Sequence, residues 1–188
     1  GTSGPLTLQA DVMTLGAALS AGSGTATLLP NTAARPIDLG STTDLAAALE
    51  LSAAELNQIT AGKLRIGDAT RGAIGLSDDI STDPAKAPSL TLASGASISS
   101  ATKMLSAAAL ALDAGGNINF NTTGADTLAV SSGGTVFLAG NTAPSGTLSI
   151  STVDGIDGIT AVGSVYIREA AGDLQILKPV ASGDYVQF

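Results

Sequence analysis

Sixteen carboxylates and no histidine set the terms for any chemistry this 188-residue chain could perform. Without histidine the commonest general base, the Ser-His-Asp triad and the usual nitrogen ligand for metals are all missing. Without cysteine there is neither a thiolate site nor a disulfide framework. Acid–base work would fall to paired carboxylates, which a glycosidase holds about 5 to 9.5 Å apart. The densest acidic group is Asp78, Asp79 and Asp83, between Leu76 and Leu90. Oxygen ligands at that density suit calcium, but aspartates also favour solvated turns, and the turn is the preferred reading. Asp154 and Asp157, in VDGIDG, form the second calcium candidate. Their glycine neighbours resemble calcium-binding β-roll repeats, yet the nonapeptide of those repeats does not recur, so turn chemistry is again preferred. No catalytic residue and no cofactor is assigned.

Sugar recognition would want exposed aromatic rings, and the chain has five: Phe120, Phe137, Phe188, Tyr166 and Tyr185. Phe120 and Phe137 lie in alternating runs and are assigned to the core. Tyr166 and Tyr185 alternate with Val165, Ile167 and Val186, which makes them outward-facing ligand candidates, with a plain surface position as the preferred reading. Asn117, Asn119 and Asn121 are spaced for amide ladders between stacked strands. Thr25-x-Thr27 does not recur in register, which excludes an ice-binding array.

The elements that would position these residues are short. The chain is 44% hydrophobic but only 3% aromatic, without tryptophan, so Ala, Val, Ile and Leu must fill any interior. That suits a thin core. Twenty-three glycines, with abundant Ser, Thr, Asn and Asp, break the sequence into two-residue alternations such as Leu64-Arg65-Ile66, Leu90-Thr91-Leu92 and Leu148-Ser149-Ile150, each reading as a strand with one buried face. One series, Leu92, Leu112, Val130, Ile150 and Ile167, recurs at intervals of 20, 18, 20 and 17 residues. A second, Leu76, Ile98, Phe120, Leu138, Ile159 and Ile176, recurs at 22, 22, 18, 21 and 17. A period near twenty residues with more than one strand per repeat predicts an all-β chain folded as a parallel β-helix. Seven to nine coils would make a rod of roughly 35 to 45 Å.

Residues 1–188 are expected to form one β-helix domain. The segment 44–59, DLAAALELSAAELNQI, departs from the alternation and predicts a short helical excursion. Within it Ser52 and Glu55 have the spacing of a capping box, and Leu56 and Ile59 share a face. Ala101 to Asp113 is assigned mainly to strand. A net charge of −8 and scattered basic residues argue against nucleic-acid binding. No apolar run reaches membrane-spanning length, and Gly1-Thr2-Ser3-Gly4 lacks a signal-peptide pattern. The chain reads as a piece of a much longer protein.

From Ile59 to Ile80 the sequence ITAGKLRIGDATRGAIGLSDDI resembles a recurring unit of filamentous haemagglutinin-like exoproteins. The stretches SGTATLLPNTAARPIDLG, LSAAELNQI, SLTLASGASI, LALDAGGNINF and TVDGIDGITAVGSVYI look like segments of the same shafts, so the similarity spans most of the chain. The resemblance implies a right-handed parallel β-helix (β-solenoid) belonging to a secreted or bacterial cell-surface adhesin, exported by an outer-membrane transporter in two-partner secretion. The Asn-Pro-Asn motif of the family's secretion domain does not occur, which points to an internal shaft segment. The expected function is therefore structural and adhesive rather than enzymatic, holding binding regions away from the cell. The competing expectation is a carbohydrate-binding or polysaccharide-degrading β-helix. A host-cell receptor or glycan is the expected partner class, and the chain is expected to be monomeric with end-to-end association open to it.

Overall fold

The computed structural model describes residues 4–45 and 47–188. Among them nineteen strands join in one sheet whose pairings are all parallel, wound into stacked coils. This is a parallel β-helix. Its longest face, face A, has eight levels: Leu6–Gln9, Thr25–Leu29, Lys63–Asp68, Ser89–Ser94, the second halves of Leu105–Ala114 and Thr123–Ser132, then Thr147–Ile150 with Ile159–Ala161, and Asp173–Ile176 with Val180–Ser182. At the inter-strand spacing they rise about 34 Å. Face B follows a corner later, with Ile37–Leu39, Ile74–Leu76, Ile98–Ser100, Ile118–Phe120, Val136–Asn141, Val165–Glu169 and Val186–Gln187. A shorter face C is built from Ile80–Ser81, the starts of Leu105–Ala114 and Thr123–Ser132, and Asn141.

The alternation written in the sequence becomes columns of like side chains. On face A, Ala26, Leu64, Leu90, Leu110, Leu128 and Ile150 stack in register, beside Leu28, Ile66, Leu92, Leu112, Val130 and Ile159. On face B the column is Ile37, Ile74, Ile98, Ile118, Val136 and Val165. Every one of these is at most 1% exposed, and each Leu or Ile so buried stabilises the fold by about 1.5–3 kcal/mol. The interior is almost wholly aliphatic, with Phe120 its one fully buried aromatic ring.

The spacing argument held for the architecture and failed for part of the register. Leu92, Leu112 and Val130 do stack, but Val130 pairs with Ile159, while Ile150 stacks on Leu128 and beneath Ile176. Ile167 belongs to face B, opposite Leu138. The second series mixes columns and then faces: on face B, Leu76 lies opposite Leu39 and Phe120 opposite Leu138, but Ile98 stands in the neighbouring column between Ile74 and Ile118, and Ile159 and Ile176 belong to face A. An insertion separates Ile150 from Ile159 on the same level. Thr152–Val153 and Ile156–Asp157 pair only with each other, as an antiparallel hairpin outside the main sheet. The chain leaves the ladder at Ser151, whose amide donates to the Leu128 carbonyl, and rejoins it at Gly158, whose carbonyl accepts from Val130. Ile159 therefore stands two positions past Ile150 in the ladder although nine residues separate them in the chain.

The helical excursion expected over 44–59 contracts to Ala53–Leu56, and Ala46 lies outside the described residues. The capping box is present: Ser52 Oγ accepts from the Glu55 amide, and the Glu55 carboxylate accepts from the Ser52 amide. Leu56 and Ile59 are both buried. Ahead of the helix, Leu49–Leu51 is a strand, paired in parallel with Ile37–Leu39 on the side away from Ile74–Leu76. The chain thus turns back and supplies face B with its first level. Helix propensity is worth only tenths of a kcal/mol per residue here, so burial of Leu49 and Leu51 in the ladder prevails. Ala101 to Asp113 behaves as expected, with Leu105–Ala114 extended.

This backtracking makes the two ends unlike. At the amino-terminal end Leu49, Leu51 and Leu56 are at most 1% exposed, and Met13 is buried with them. Glu50 fastens the covering loop by accepting from the Ser41 and Thr43 hydroxyls and the Leu45 amide, and Glu55 accepts from the Leu15 amide. At the other end Ile176 is 49% and Val186 39% exposed, although their columns are fully buried one level below.

Candidate functional site

The densest cluster of charged and polar side chains on face A forms where the inserted hairpin lies across it. The tip is Asp154-Gly155, with φ of 50° and 84°. Two successive positive φ values in a two-residue loop are those of a type I′ turn, and Asp-Gly is among the sequences that favour it. The outward column beneath is Thr27, Arg65, Thr91, Ala111 and Ala129. Two alanines leave space above the sheet, and Val153 and Ile156 fill it, packing with Ala109, Ala111 and Ala129 as a small second core. Thr91, Ala111 and Ala129 are therefore fully buried although they point away from the main interior.

Asp154 reaches furthest down the column. One carboxylate oxygen accepts from Lys63 Nζ at 2.9 Å, and the other accepts from Arg65 Nη1 at 3.1 Å and Thr91 Oγ1 at 2.8 Å. Burial opposes its ionisation, but the hydrogen bonds from Lys63 and Thr91 and the charges of Lys63 and Arg65 outweigh it, so the carboxyl titrates below its usual range. Lys63, Arg65 and Thr91 escaped sequence reasoning because they lie 63 to 91 residues from their partner. The signal that was legible is the Asp-Gly pair between Val153 and Ile156, which marks a hairpin.

The other acidic candidates separate. Asp157 sits at the hairpin base, accepting from Thr152 Oγ1 and paired with Lys178 at 3.1 Å, so it and Asp154 face different partners. Asp78 pairs with Lys103 Nζ at 2.8 Å, Asp79 accepts from the Met104 amide, and Asp83 accepts from the Ala85 amide. Among the described residues no three carboxylates gather as a metal site would require. No cleft or cavity is found among them either.

The aromatic residues correct one expectation. Phe120 is in the core, but Phe137 is 38% exposed. It stands between inward Val136 and Leu138, so the alternation turns it outward. Its neighbour one level up is Tyr166, and the two rings stack with centroids 4.9 Å apart at 19°. Rings stacked at the strand spacing turn their faces to one another and their edges to solvent, contributing about 0.5–1.5 kcal/mol to the fold. Tyr166 is half-buried in this column with Gln187 opposite it on the next level, and Tyr185, outside the column, is 54% exposed.

Amide side chains do bridge levels, though to backbone rather than to each other. Asn117 Oδ1 accepts from the Thr135 amide, and Asn121 Nδ2 donates to the Ala101 carbonyl. Asn119 stands in the outward column between Ser99 and Phe137. The amide with most consequence is Asn141, which is fully buried on face C. Its Oδ1 accepts from Thr123 Oγ1 and the Ala125 amide, and its Nδ2 donates to the Ala125 carbonyl and Glu169. It serves in place of strand where the main chain bulges between Leu138 and Asn141. Nothing in the local sequence distinguishes it from a turn asparagine.

Set against family models, curated proteins and solved structures, the chain finds no match in any of the three.

Proposed function

We propose that this chain is a non-catalytic length of shaft from a secreted, cell-surface adhesin of the filamentous haemagglutinin-like kind, holding more distal binding regions away from the bacterium. The observation that supports it is the parallel ladder through eight levels of face A, with aliphatic columns at its centre. Such a stack is stiff along its axis because bending must shear backbone hydrogen bonds and packed side chains at once. The resemblance of Ile59 to Ile80 to shaft repeats supplies the family, and with it export through an outer-membrane partner transporter. Spin labels at Ser23 and Ser149, both on turns or outward positions, test the mechanical part. A single narrow distance, unchanged by 1 M salt, is expected, and a broad distribution rejects a rigid spacer. Exposing the chain to a panel of acidic and neutral polysaccharides tests the competing reading, since measurable cleavage would displace the shaft proposal.

Contact between molecules, on this proposal, uses the carboxy-terminal edge. Strands Asp173–Ile176, Val180–Ser182 and Val186–Gln187 each pair on one side only, and unpaired edges invite further strands. Sedimentation is expected to show concentration-dependent association that disappears in Ile176→Lys combined with Val186→Lys. Association persisting in that variant places the contact elsewhere.

A further inference from the structure

We propose that the inserted hairpin is a clasp, which makes the seventh level of face A open only when the hairpin is pulled from the four levels beneath it. In a solenoid each coil touches its immediate neighbours, so an end can unwind one coil at a time. The hairpin breaks that rule. It is rooted in level 7, between Ile150 and Ile159. Val153 and Ile156 rest on Ala129 of level 6 and on Ala109 and Ala111 of level 5. Asp154 accepts from Thr91 of level 4 and from Lys63 and Arg65 of level 3. One short segment thus touches five successive levels.

The contact is more than an exposed ion pair, which alone contributes little. The Asp154 side chain is only 11% exposed, against 47% for Lys63 and 33% for Arg65. Lifting it would strip one carboxylate of three donors and uncover the alanine column with Thr91. The hairpin also has no strand pairing to the main sheet, so these side-chain contacts, with the chain's own return at Ser151 and Gly158, are what hold it down. Beyond it, level 8 meets only the base of the hairpin, where Asp157 pairs with Lys178, and not the tip that Asp154 anchors.

Hydrogen exchange followed peptide by peptide tests this, using Asp154→Ala and, separately, Lys63→Met, whose target is half exposed and remote from level 7. Both are expected to speed exchange of 147–150 and 159–161 by about tenfold, with 173–187 unchanged. The double variant is expected to add little to either single one, because both remove the same contact. Acceleration confined to 152–157 overturns the clasp and leaves the hairpin as surface decoration. So does a Lys63→Met chain whose level 7 exchanges as in the parent, which also covers the case in which Asp154→Ala fails to fold.

Discussion

At Gly115 a single added carbon would collide with the coil below. A Cβ there would lie 2.4 Å from the Gly95 carbonyl oxygen, one at Gly133 would lie 2.2 Å from that of Gly115, and one at Gly95 would lie 2.3 Å from that of Ala69. The column marks the corner between faces A and B, where at these three levels the carbonyl of the coil below occupies the place of an added carbon. Gly115→Ala is expected to destabilise the chain by about 1–3 kcal/mol, read as a lower denaturation midpoint, because backbone rather than a flexible side chain must move. The column Leu110, Leu128, Ile150 and Ile176 offers a sharper contrast. Leu128→Asp or Ile150→Asp places a charge where exposure is at most 1%, and a loss of about 3 kcal/mol or more is expected. Ile176→Asp, in the same column but 49% exposed, is expected to stay within about 0.5 kcal/mol of the parent. Equal losses at Ile150 and Ile176 would mean that the carboxy-terminal edge is covered after all.

At the level of elements, the sequence was most legible where local pattern and tertiary role coincide. Leu90-Thr91-Leu92 and Ile118-Asn119-Phe120 alternate because one side of each strand meets the interior, and both are strands. Leu49-Glu50-Leu51 was read as helix because its neighbours are alanine-rich, but the deciding partner was Ile37–Leu39, a contact no local window contains. The Ser52–Glu55 capping box was legible because its two halves are three residues apart. The clasp was not, since Asp154 declares a turn in its own neighbourhood and an ion pair only in three dimensions. Phe137 shows the same limit from another side: its alternating run points it to the core, whereas its parity between Val136 and Leu138 turns it outward. Substituting Asp154-Gly155 with Ala-Ala removes both residues suited to positive φ, and the hairpin is expected to lose the type I′ turn. Altered amide shifts confined to 152–157 and to the residues beneath it would check that outcome.

For the whole molecule, pH dependence follows from which groups are absent as much as from those present. The folded chain lowers the pKa of Asp11, Glu50, Asp68, Asp78, Asp154 and Asp157. Hydrogen bonds from Thr32, Lys103 and Thr152 lead for Asp11, Asp78 and Asp157, and the Leu45 amide leads for Glu50. At Asp68, as at Asp154, burial works the other way and is outweighed, here by Thr70 and Arg71. A carboxyl whose pKa is lower folded than unfolded adds stability above its unfolded value and loses it as pH falls through the folded one. Lys103, raised by Asp78, adds stability below its unfolded value and loses it as pH rises through the folded one. With no histidine, the melting temperature is expected to be level from about pH 5 to 8 and to fall below about pH 4. A step between pH 6 and 7 in a thermal scan would contradict this.

The unequal ends bear on how such a fold comes into being. Closing the amino-terminal end requires the chain only as far as Ile59, since the strand Leu49–Leu51 returns to the first level and the helix Ala53–Leu56 seals it. Later residues add to it at the helix end, where Lys86 donates to the Asn57 carbonyl and Asn57 to that of Ser81. Every subsequent coil then finds a finished template on one side and open water on the other. If coils condense in the order their residues are made, each one from Lys63 onward meets a level already formed, and growth proceeds in one direction along the axis.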